Sequence, residues 1–201
     1  MFVGQFVMGL ITPLDQYTAA QLGNGAIATL GYANKVIALL TGMGAIAIGR
    51  AILPVMSYLW VAGQRERARN ISLKWAALML TVGALVAVFA WALAPWGIGL
   101  LFERGAFTSQ DTHVVAEVFR WGLIQVPFFF AGLVLVQLLA SQGKYSTMAA
   151  LNASNIVIKL ILNPLLSARM DIAGIALATD LMYAWSASSL YYAVLRIQPR
   201  K

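Results

Sequence analysis

ITPLDQYTAAQLGNGAIATLGYANKVI, residues 11–37, sets an acid and a base, Asp15 and Lys35, inside two apolar segments joined by Gly23-Asn24-Gly25. Two glycines and an asparagine readily take the positive φ angles at which one helix ends and another begins. If the chain reverses there, residues whose numbers sum to about 50 lie at equal depth in two antiparallel helices, because each residue advances its helix by ~1.5 Å. Asp15 and Lys35 meet that condition, and Thr12, Asp15 and Thr18 share one face of the first helix by i, i+3 spacing. A charge in hydrocarbon costs at least ~2.5 kcal/mol, so both groups are expected to face a bundle interior or a water-filled cavity. Two readings stay open on spacing alone: an ion pair locking two helices, or a site for a charged ligand.

The surroundings of this stretch decide the class. Of 201 residues 61% are hydrophobic and only 10% charged, and the mean hydropathy is +0.78. Apolar runs that reach the ~20 residues of a spanning helix recur along the whole length. Period-two alternation is absent, which excludes barrel strands and leaves an α-helical bundle as the spanning solution. An all-α integral membrane protein of about six helices follows, at approximately 2–22, 26–50, 71–93, 112–139, 148–167 and 172–196. Pro54 is expected to break or kink the chain after the second helix, Pro95 to mark the exit of the third and Pro127 to bend the fourth. Thr108 and Asp111 have the spacing of a capping box ahead of that fourth helix. Met1 enters an apolar run directly, with no basic n-region, and reads like a chain cut at a helix start rather than a signal peptide.

Two further polar features lie deep in apolar segments. Asn152, Asn155, Lys159 and Asn163 form one narrow stripe on the fifth helix, which must turn away from lipid. The turn at Ala168 to Asp171 brings Lys159 and Asp180 to equal depth, nine residues on either side, and a second buried structural pair is expected there.

The net charge of +7 fits topology better than nucleic-acid binding, because the basic residues gather in short loops. Arg65, Arg67, Arg69, Lys74, Lys144, Arg196, Arg200 and Lys201 fall on one side, and Arg104 and Arg169 on the other. Lys35, Arg50, Arg120 and Lys159 lie within helices. The positive-inside rule makes the richer side cytoplasmic, with both termini inside. Cysteine is absent, and the single histidine, His113, has no partners at metal-ligand spacing, so neither a metal nor a cofactor is expected. No nucleophile with a base, no paired catalytic carboxylates and no phosphate-cradling glycine loop can be found, so an enzyme is not expected.

The succession GAIATLGYANKV, AILPVMS, LFERGAFTSQDT, GKYST and GIALAT resembles the carboxy-terminal half of the MviN/MurJ family, lipid II flippases of the multidrug/oligosaccharidyl-lipid/polysaccharide (MOP) exporter superfamily. The likeness covers nearly the whole chain, and its most specific pieces are Gly25 to Lys35 and Leu101 to Thr108. It implies one lobe, residues 1–201, of a transporter that moves lipid-linked peptidoglycan precursor by alternating access in the bacterial cytoplasmic membrane. The family's other, amino-terminal lobe is absent from these residues, so the chain is either a fragment or works with a partner lobe or subunit. Lys35 stands where the family usually has a cavity arginine. Lys35, Asp15, Asn34, Lys159 and Asn155 are then the candidate cavity residues, with Asp15 a candidate site for a coupling proton or sodium ion. Alternatives are a flippase of another polyprenyl-linked oligosaccharide, a cation-coupled MOP exporter, and a non-transporting membrane scaffold.

Overall fold

A computed structural model describes residues 9–196, and all regular structure among them is helical. Six helices follow in order: α1 (Ile11–Ala20), α2 (Ala26–Val61), α3 (Arg65–Phe102), α4 (Ser109–Gly122), α5 (Gln125–Ser141) and α6 (Tyr145–Leu195). The α6 span is two helices, because Asp171, at φ 51° and ψ −132°, breaks it into arms 145–170 and 172–195. Each arm exceeds the ~20 residues that cross a bilayer. Contacts of Lys159 with Thr179 and of Asn155 with Ser186 show that the arms run antiparallel, as the turn at 168–171 requires.

Several boundaries differ from those read in the sequence. The second helix continues past Arg50 to Val61 with Pro54 inside it, and the third runs from Arg65 to Phe102 with Pro95 inside it. A proline removes one main-chain donor and need not end a helix of 36 or 38 residues whose neighbours hold it in place. The fourth expected helix, 112–139, is instead the pair α4 and α5, bent by 41° at residues 123–124, just before Pro127. Its start is earlier than expected because the Thr108–Asp111 capping box forms: the Thr108 amide donates to Asp111 Oδ2 at 2.8 Å, and the Asp111 amide to Thr108 Oγ1 at 3.4 Å. The fifth helix begins at Tyr145 rather than Met148 and continues to the Asp171 break. Of the first expected helix, 2–22, residues 2–8 lie outside the described residues.

The Gly23-Asn24-Gly25 reversal is present, with φ of 117° at Gly23 and 88° at Gly25. At Gly83, α3 crosses α5 so closely that a Cβ there would lie 2.7 Å from Pro127 Cα. The middle of α3 presents an apolar face: Leu85, Val88 and Phe89 are 71%, 67% and 69% exposed. Such a face belongs in lipid. By length and composition α2, α3 and α6 can each cross a membrane, and the bent α4–α5 pair passes as one further span.

Candidate functional site

The inward face of the first α6 arm builds the polar centre of the molecule. Asn155, Lys159 and Asn163 recur every four residues and therefore line one face, and they are 1%, 0% and 0% exposed. Their partners come from two neighbours, α1 and the second α6 arm. Ser186 Oγ, on the second arm, donates to Asn155 Oδ1 at 2.9 Å. The Asn163 amide donates to Asp15 Oδ1 of α1 at 2.8 Å and to Thr18 Oγ1 at 3.5 Å. Between them the Lys159 ammonium lies 2.7 Å from Asp15 Oδ1, 2.7 Å from Thr179 Oγ1 and 3.5 Å from the Ile175 carbonyl oxygen. Three donor directions of a tetrahedral ammonium are thus met by three oxygens from α1 and the second α6 arm, which is how a buried charge is kept tolerable.

The stripe therefore faces other helices, as its place in an apolar segment demanded. Its outer end, at Asn152, borders a cleft of about 250 Å³ between α5 and the α6 arms, lined largely by apolar residues such as Phe129, Leu133 and Leu151. Tyr183 closes one side of this cleft, edge-on to Phe129 at 5.6 Å between ring centres.

Neither of the two pairs that share a depth, Asp15 with Lys35 and Lys159 with Asp180, forms a direct contact. Asp15 does not pair with Lys35: it turns to α6, while Lys35 is exposed and lies 5.2 Å from the centre of the Tyr32 ring. Equal depth sets the height of a residue but not the side of the helix it occupies. Buried Ala26, Leu30, Ala33 and Ile37 define the packed face of α2, and Lys35, two residues from Ala33, points about 200° away from it. Nor does Lys159 pair directly with Asp180. Thr179 occupies the matching face, and Asp180, one residue on, is turned toward the Gln125 backbone N–H at the start of α5. Asp180 is 1% exposed, and neither carboxylate oxygen makes a hydrogen bond of normal geometry with a described residue.

Of the candidate residues, Asp15, Lys159 and Asn155 thus come together in the interior, and Lys35 and Asn34 sit side by side on an exposed stretch of α2. Thr179 and Asn163 were not among them, although both bond directly to the pair. The signal for Asn163 was its place in the stripe, and for Thr179 its position next to the depth-matched Asp180. Arg120, on α4, donates to the Trp91 carbonyl at 3.2 Å and stacks on the Trp91 ring. Among the described residues no group of three or more His, Asp or Glu is placed to hold a metal ion.

A family model described as lipid II flippase MurJ matches residues 1–199. The chain belongs to that family. Among relatives, a probable lipid II flippase MurJ of Rhizobium tropici is 29% identical over 182 residues, covering 86% of this chain and 32% of the relative. One from Helicobacter pylori is 28% identical over 186 residues, covering 92% and 39%. The chain therefore spans about a third of the length of the MurJ proteins it matches. The fold is similar to a lipid II flippase MurJ solved in an inward closed conformation, with a TM-score of 0.85, 20% identity, and coverage of 96% of this chain and 41% of that one. It is also similar to an outward-facing MATE-family transporter of the MOP superfamily, with a TM-score of 0.76, 20% identity, and coverage of 98% and 43%. MurJ-family membership and the spanning helices make this a multi-pass inner-membrane protein.

Proposed function

We propose that residues 1–201 form one lobe of a lipid II flippase, the carboxy-terminal one, which works with an amino-terminal lobe to move the lipid-linked peptidoglycan precursor across the cytoplasmic membrane by alternating access. The observation that carries this reading is the family match over residues 1–199. In this reading Lys35 and Asn34 face the shared cavity. Lys35 is a cation held away from the packed face of its helix, free to meet an anionic headgroup, and the Tyr32 ring beneath it is tied to Phe102 and Phe107 at 4.9 and 5.1 Å. Lysine meets phosphate as a point charge rather than as the planar fork of arginine. Asp15 and Lys159 serve instead to lock α1 to the α6 hairpin. Both termini lie on the cytoplasmic side, where the loops hold the larger share of lysine and arginine.

The test is rescue of cells depleted of their own lipid II flippase by the full-length protein carrying Lys35→Arg or Lys35→Ala. Lys35 is exposed, so its removal is expected to leave membrane levels unchanged. Rescue by the native and arginine forms, with none by alanine at equal abundance, is the expected result; equal rescue by all three overturns the role of Lys35. Failure of even the native protein overturns lipid II as the substrate.

A further inference from the structure

Where α2 hands over to α3, two concavities meet. One, about 740 Å³, is bounded by Arg65, Arg67, Asn70 and Lys74. The other, about 480 Å³, runs along Pro54, Val55, Tyr58 and Leu59 of α2. Gln64, Arg67 and Ile71 border both, so the two form one continuous site with a basic chamber and an apolar one.

The basic chamber carries three cations against one anion, Glu66, which forms no ion pair with them. Arg67 is held at the junction by donating from Nη1 to Gln64 Oε1 at 3.2 Å, and Arg65 stacks on Trp60 at 4.7 Å from the ring centre. The chamber also receives the start of α3, a 38-residue helix whose N-cap, Gln64, makes no side-chain capping bond, so its first amides add to the positive field. Tyr58, which lines the apolar chamber, is 71% exposed, the placement of an aromatic that settles at the headgroup layer.

We propose that this site binds an anionic glycerophospholipid of the surrounding bilayer, with its phosphate among Arg65, Arg67 and Lys74 and an acyl chain along Val55 and Leu59. Charge complementarity selects the headgroup, and the apolar chamber selects an amphiphile over a soluble anion, which would leave that chamber empty. The site is separate from Lys35 and does not rest on the transport reading. A basic cluster at the membrane-surface end of a spanning helix attracts acidic lipid by roughly fivefold per cation.

The full-length protein in nanodiscs of equal phosphatidylglycerol and phosphatidylcholine, released into native mass spectrometry, tests this directly. Retention of phosphatidylglycerol over phosphatidylcholine is expected, falling at least about tenfold in the R65Q/R67Q/K74Q variant and unchanged in K144Q, which removes a cation from another loop. Val55→Trp, which fills the apolar chamber and leaves every charge, is expected to lower retention as well. Equal retention of the two lipids, or no loss in the triple variant, overturns the proposal. Displacement by millimolar inorganic phosphate with no effect of Val55→Trp would mark a soluble-anion site, and one-for-one displacement by a polyprenyl pyrophosphate would assign the site to transported lipid; either result also overturns it.

Discussion

Replacing Lys159 with methionine keeps most of the side-chain volume and deletes only the charge. The Asp15 carboxylate, 6% exposed, then keeps the Asn163 amide at 2.8 Å but loses the ammonium at 2.7 Å, and Thr179 loses its donor. Removing one partner of a buried ion pair costs about 3–5 kcal/mol, most of it the stranded charge. Lys159→Met is therefore expected to destabilise by about that amount. Asp15→Asn on the same background removes the stranded charge, and the double variant is expected to recover more than half of the loss, a coupling of about 2–3 kcal/mol. The asparagine still presents an oxygen to Asn163. Equilibrium unfolding of the four proteins, native, two single and one double, in detergent micelles reads the cycle. A loss under 1 kcal/mol for Lys159→Met, or a double variant no better than Lys159→Met alone, would refute the claim that this pair holds α1 to the α6 hairpin.

Two other outcomes follow from the same packing. Asp180→Asn replaces a buried carboxyl that makes no regular hydrogen bond, so stability is expected to stay within about 1 kcal/mol of native or to rise; a fall like that of Lys159→Met, in the same unfolding assay, would mean that Asp180 is the true partner. Gly83→Val sets a branched side chain against the Pro127 backbone, where even a Cβ would sit at 2.7 Å, and is expected to cost about 1–3 kcal/mol and to lower the melting temperature; unchanged melting would show that α3 and α5 can move apart there.

The class of the protein was legible from its residues because hydrocarbon imposes a rule that composition reveals directly: long apolar runs without barrel periodicity must be helices. The Gly23-Asn24-Gly25 reversal, the Thr108–Asp111 cap, the hairpin at 168–171 and the inward turn of the Asn155–Lys159–Asn163 stripe are local or periodic, so each could be read before any tertiary contact was known. Proline misled because Pro54 and Pro95 are tolerated inside long supported helices. The partners of the charges were beyond the sequence. Counting from a turn gives depth within a hairpin, but Asp15 belongs to one hairpin and Lys159 to another, 144 positions away. Which hairpin packs on which, and with what rotation about each helix axis, is set by the fit of whole faces such as Gly83 on Pro127. That fit brought Lys159 to Asp15 and left Lys35 exposed.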